Sequence, residues 1–259
     1  MFDTARTLTS RVRGEKQKCR LPSASPNRMS GVETARRDFI AYTLPFAVFM
    51  AFLALYSAFG SLFQTSDRLL LSQPQYWIFP LQTAVCAGLL LVFWKSYPLL
   101  AHKDWPSGAL AGIAAFVIWI SPQAFFGGPS RIKGFDPEIF RDSAALYGMT
   151  VVARFARLVI VVPLVEEIFW RGFLMRYLID EKFTAVGFGT FRPFSFFAVA
   201  VLFMLVHSSA DWIPALLTGF LLNGVAVFTK NLWACVVAHA VTNLTLGIYI
   251  MATKQWGFW

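Results

Sequence analysis

Residues 39–63 read FIAYTLPFAVFMAFLALYSAFGSLF, with no Asp, Glu, Lys or Arg among them. At about 1.5 Å of rise per residue, a helix of that length exceeds the ~30 Å hydrocarbon core of a bilayer. In lipid every backbone N–H and C=O must find a partner inside the segment, so an apolar run this long has to be helical. The pattern recurs toward the C-terminus, in Tyr76–Trp94, Gly108–Phe126, Leu146–Val165, Phe194–His207, Trp212–Phe228 and Leu232–Met251. The fifth and sixth are short for a span and are expected to continue into the polar segments beside them. The fourth has a second register, Leu158–Ile179, which would put Arg154 and Arg157 outside the span and Glu166 and Glu167 in mid-membrane. Trp77, Trp94, Trp105, Trp212 and Trp233 fall at or near the segment ends, where an interfacial aromatic belt would put them.

Composition agrees. The 259 residues are 57% hydrophobic, 17% aromatic and 14% charged, against about 25% charged in soluble chains. Nine of the 23 Lys/Arg and four of the 14 Asp/Glu lie in residues 1–38. That stretch, with Pro22 and Pro26 among serines, is predicted to be a disordered cytoplasmic tail. Met29, just ahead of the first span, is a second possible translation start. Residues 39–259 are then one integral domain, with a motif-bearing core at 144–251. The formal charge of +9 does not point to nucleic acid. With the N-terminus inside, sixteen Lys/Arg fall on the inner side and five on the outer, and Arg154 and Arg157 lie in the fourth span, as the positive-inside rule expects. The expected setting is the lipid bilayer, as an integral protein with its N-terminus cytoplasmic. Cys19, Cys86 and Cys235 are too scattered for a disulfide framework or a cysteine metal site. Oligomeric state is not legible.

In so apolar a chain the few polar residues within spans are informative, because a charge at the bilayer centre costs about 2.5–3.5 kcal/mol or more. Glu166-Glu167-x-x-x-Arg171 sets Glu167 and Arg171 one helical turn apart, where they can pair. Glu166, turned about 100° away, is left free to accept a proton. Pro163, just upstream, can open polar space in the helix. Phe203-x-x-x-His207 and His239-x-x-x-Asn243 follow on later apolar segments. Each motif also has a structural reading: solvated glutamates at an interface, a helix-end histidine, and an interhelical His/Asn hydrogen bond. Together they can converge on a site in which a carboxylate and an imidazole activate water and His and Asn donors hold an oxyanion.

The ordered trio, from Glu166 to Asn243, resembles the signature motifs of the CPBP intramembrane proteases, relatives of the type II CAAX prenyl endopeptidase (the Ras-converting enzyme). The run Glu-Glu-Ile-Phe-Trp-Arg-Gly-Phe also resembles the bacterial CAAX prenyl protease-related branch associated with exosortase systems, which implies a bacterial inner membrane as the setting. The resemblance implies an all-α polytopic transmembrane helical bundle of about seven to eight spans. It implies an intramembrane endopeptidase acting on a membrane-anchored protein or peptide. Glu166 would be the general base, working with His207; His239 and Asn243 would form the oxyanion site; Arg171 would hold Glu167; and Phe203 would pack beneath His207. No cofactor is expected in that reading. A zinc-dependent version would use Glu166, His207 and His239 as ligands, although the chain has no His-Glu-x-x-His helix. A non-catalytic immunity or scaffold protein and a small transporter are the other classes, the last lacking an inverted repeat.

Overall fold

The computed structural model describes residues 31–63, 66–97 and 104–259. Met29, Cys19 and His102, and the tail as far as residue 30, lie outside the described residues. Seven principal helices follow: α1 (Gly31–Phe63), α2 (Gln75–Val92), α3 (Trp105–Ala124), α4 (Ala144–Tyr177), α5 (Pro193–Leu205), α6 (Trp212–Thr229) and α7 (Leu232–Thr253). All but α5 are long and apolar enough to cross a membrane. The result is an all-α bundle, as expected. Residues 31–38 are the opening turns of α1, so the helix starts eight residues before the expected tail boundary.

The two registers considered for the fourth span turn out to be parts of one helix. α4 runs without a break for 34 residues and widens into π turns at Arg157–Val161 and Ile168–Leu174. Hydropathy divided it because Arg154, Arg157 and the Glu pair interrupt the apolar run. Burial explains how it tolerates them: all five ionisable residues of 154–171 face protein and are at most 9% exposed.

Prolines inside these helices leave carbonyls without their N–H partners, and at three of them a side chain replaces what is missing. Pro45 frees the carbonyl of Ala41, which accepts the Tyr97 hydroxyl at 2.7 Å. Pro122 frees Ile118, which accepts the Ser121 hydroxyl at 2.9 Å. In the first π turn of α4, where bonds run from residue i+5 to residue i, Pro163 falls where Leu158 needs a donor. The Asn243 amide nitrogen supplies it at 2.7 Å.

α7 lies at the centre, against α3, α4 and α6. Its approach to α3 is set by Gly108 and Gly112, where a Cβ would sit 2.5 Å from the carbonyl oxygens of Ala234 and Ala238. Thr242 closes this seam by donating to the Gly112 carbonyl at 3.1 Å. α6 and α7 form a tight antiparallel hairpin: Lys230 ends α6 at φ +54°, and the Asn231 side chain caps the first turn of α7. Trp94, Trp105 and Trp212 stand exposed at helix ends.

Candidate active site

Three helices deliver the motif residues to one place. α4 carries Glu166, Glu167 and Arg171, α5 carries Phe203, α7 carries His239 and Asn243, and His207 follows the end of α5. At the centre is the Glu167 carboxylate, fully buried. Arg171 Nη1 meets its two oxygens at 3.0 and 3.1 Å, and His239 Nδ1 lies 2.8 Å from Oε1. A carboxylate gripped by guanidinium accepts rather than donates, so Nδ1 carries the proton of that hydrogen bond and Nε2 is the ring nitrogen left for other partners. The other guanidinium nitrogens also have partners: Arg171 Nε donates to Asn223 Oδ1 at 3.0 Å, and Nη2 to the Gly219 carbonyl at 3.3 Å. Asn223 in turn donates to the Phe196 carbonyl at 2.8 Å. One saturated network therefore joins α4, α5, α6 and α7. The Glu167–Arg171 pair is the one expected from the spacing. Its bonds to His239 and Asn223, 72 and 52 residues away, have no sequence signal.

Glu166 is different. It is buried, and Oε2 has no hydrogen-bond partner. It faces a cavity of about 380 Å³ that His207, His239, Asn243 and Phe203 also line. The His207 ring packs on Phe203 with centroids 4.6 Å apart, and Nδ1 lies 2.7 Å from the Phe203 carbonyl oxygen. A carbonyl only accepts, so His207 Nδ1–H is the donor and Nε2 keeps its lone pair. Phe203 has the Arg171 guanidinium 5.0 Å from its ring centre, linking the two halves of the site.

Three further features position these groups. Asn223 fixes Arg171. Gly108-x-x-x-Gly112, a small-residue spacing that could have been noticed in an apolar segment, sets the depth of α7. Gln82, by accepting from Arg157 Nε at 2.8 Å, holds a cation on the cavity wall.

The residues weighed as zinc ligands share the cavity. Even so, no three His, Cys, Asp or Glu side chains among the described residues gather closely enough to hold a metal ion. Both rings have spent Nδ1 on a protein acceptor, so a zinc set would have to be assembled from Glu166 and the two Nε2 atoms.

No curated protein and no solved structure matches the chain. The match found is to a family of peptidases, and the apolar helices make this an integral membrane protein. Residues 148–245, which contain all seven candidate residues, match the family model Type II CAAX prenyl endopeptidase Rce1-like, the family that the three motifs resemble.

Proposed function

We propose that this protein is an intramembrane glutamic endopeptidase in which Glu166 activates water against a peptide bond of a membrane-associated substrate. The observation that carries the proposal is the unpartnered Glu166 oxygen in a cavity shared with His207, His239 and Asn243. A water there donates one hydrogen toward the Glu166 carboxylate and the other toward the His207 Nε2 lone pair. Glu166 takes the first proton as the water oxygen adds to the scissile carbonyl carbon. The developing oxyanion accepts from the Asn243 amide hydrogen not used on Leu158 and from His239 Nε2–H. That second donor requires the doubly protonated ring, whose Nδ1–H is held by the Glu167 carboxylate. Collapse of the tetrahedral intermediate breaks the C–N bond, and Glu166 returns its proton to the leaving nitrogen. No covalent acyl-enzyme forms, and no metal enters a step. The charge asymmetry across the spans supports an inner-membrane setting with the N-terminus cytoplasmic.

The test is Glu166→Gln in purified, membrane-reconstituted protein and in a cell-based processing assay. Loss of general-base catalysis lowers turnover by about 10²–10⁴ while the protein stays folded and inserted. Full processing by this variant sinks the reading. Stoichiometric, tightly bound zinc whose removal abolishes activity would replace it with the metal-dependent version. The saturated network favours one second reading, a scaffold in which the cluster only joins helices; there Glu167→Ala lowers expression and Glu166→Gln changes nothing.

A further inference from the structure

Thr218, in α6, has an unused hydroxyl. The residue is 3% exposed, and Oγ1 has no hydrogen-bond partner. A threonine inside a helix can spend its hydroxyl on the carbonyl one turn back. Thr43, Thr83, Thr229, Thr242, Thr245 and Thr253 all do so. Thr218 does not, and it lines the cavity that holds Glu166, His207, His239 and Asn243. Thr242 lines the same cavity, but its hydroxyl is committed to the Gly112 and Ala238 carbonyls. A buried hydroxyl without a partner carries a desolvation penalty. An acceptor that enters the cavity and meets Thr218 relieves it.

The depth of Thr218 follows from the turn that ends α6. Lys230 and Asn231 reverse the chain, so residues equally far from them lie at the same height on α6 and α7. Leu222 and His239 are each eight residues from the turn. Thr218 and Asn243 are each twelve residues from it, about 18 Å along the axis. The rotation of α6 is fixed as well. The Gly219 carbonyl, next to Thr218, accepts from Arg171 Nη2, and one turn on Asn223 accepts from Arg171 Nε. A Cβ on Gly219 would sit 3.1 Å from Ala200 Cα, so α5 and α6 touch closely at this level. The network around Arg171 therefore holds a free hydroxyl at the depth of the Asn243 amide.

With Nδ1–H held by Glu167, a neutral His239 presents a lone pair at Nε2 and no proton. Asn243 has one amide hydrogen left after its bond to Leu158. A hydroxyl at the same depth adds a donor that does not wait on a second proton at His239. Resting on the endopeptidase reading above, we propose that Thr218 is a further catalytic residue whose Oγ1–H donates to the oxyanion of the tetrahedral intermediate. The hydroxyl keeps its proton throughout. The electron pair gathered on the carbonyl oxygen returns to the C=O bond as the C–N bond breaks.

The test uses full-length protein in phosphatidylcholine nanodiscs and a randomised pool of N-palmitoylated, internally quenched peptides, with kcat and KM read on those that the parent cleaves. Thr218→Val removes the hydroxyl at nearly constant shape, and Thr218→Ser keeps it. Because Oγ1 binds nothing in the protein, Thr218→Val should unfold no earlier than the parent. Thr242→Val, which removes a hydroxyl with two partners, should unfold earlier. Thr218→Val should lower kcat by about 10²-fold at unchanged KM, the loss that follows removal of one oxyanion donor, and Thr218→Ser should return it to within about tenfold of the parent. Parental kcat in Thr218→Val overturns the proposal. So does a rise in KM alone, which would make the hydroxyl a contact to bound substrate only. Equal losses in the Val and Ser variants, or an earlier unfolding that accounts for the lost turnover, would reduce Thr218 to packing. If Thr218→Val is impaired while Glu166→Gln cleaves at the parental rate, the donor stands and the general-base reading fails. A pool that the parent leaves uncut throughout counts against both.

Discussion

The two ends of the cavity-facing stretch of α4 handle buried charge in opposite ways. Around Glu167 and Arg171 every guanidinium nitrogen and both carboxylate oxygens have a partner: Glu167 carries Arg171 and His239, and Arg171 also reaches Asn223 and Gly219. Around Arg154 the guanidinium has aromatic rings on its faces and unfilled N–H groups at its edge, and Glu166 has an unfilled oxygen in the same cavity. That network leaves only the His239 Nε2 for a substrate, so the contribution of Glu167 and Arg171 is to hold helices in register. An unsaturated group carries a desolvation cost that only an incoming partner relieves. Adjacent residues thus divide the work: Glu167 positions and Glu166 reacts.

The largest break in that contrast should come from removing Glu167. Glu167→Gln leaves Arg171 buried without its counter-ion, which costs about 3–5 kcal/mol. Denaturant or thermal unfolding in detergent should detect it, and activity should fall with the folded fraction. Glu166→Gln should leave the unfolding midpoint within error of the parent. Equal destabilisation by the two variants would erase the division between them.

Most of the fold was legible, and about half of the site. Helical spans follow from apolar runs because lipid leaves the backbone no alternative, and the Glu167–Arg171 pair follows from helical spacing. The continuity of α4 was hidden, since hydropathy treats Arg154, Arg157 and the glutamates as exposed charge when the fold buries them all. The partner of His239 was hidden because residues 72 apart in sequence meet only through tertiary packing. Asn223 looked like an ordinary polar residue in α6, and its bond to Arg171 depends on how α6 packs against α5 and α7.

Asn223 gives the next effect in size. It bridges Arg171 Nε and the Phe196 carbonyl, so Asn223→Leu strands a buried donor and a buried acceptor at about 1–3 kcal/mol. The loss should be sub-additive with Glu167→Gln in a double-mutant cycle, because both act on the same guanidinium. Full additivity would mean that the network does not act as a unit.

Gly112→Ala tests the seam that sets the depth of His239 and Asn243. The new Cβ would lie 2.5 Å from the Ala238 carbonyl oxygen and 2.7 Å from Val241 Cβ, so α3 and α7 must separate. Overpacking of this kind costs about 1–3 kcal/mol. The displacement acts on the helix that carries His239 and Asn243, so turnover should fall more than the folded fraction does. A variant that loses stability while the remaining folded protein keeps parental turnover would free the site from any dependence on this seam.

The smallest effect comes from the same substitution where nothing crowds it. Gly148 lies in α4, ahead of the first π turn, and a Cβ there meets no atom within 4 Å. In water, Gly→Ala inside a helix is worth about 0.5–1 kcal/mol of stability, chiefly by restricting the unfolded chain. A segment inserted in lipid must satisfy its backbone whether or not the bundle has assembled, so much of that difference is already present in the unassembled state. Gly148→Ala should therefore move stability by no more than about 0.5 kcal/mol and leave turnover unchanged. If it matched Gly112→Ala in damage, the cost at Gly112 would belong to glycine's backbone freedom and not to the approach of α3 to α7.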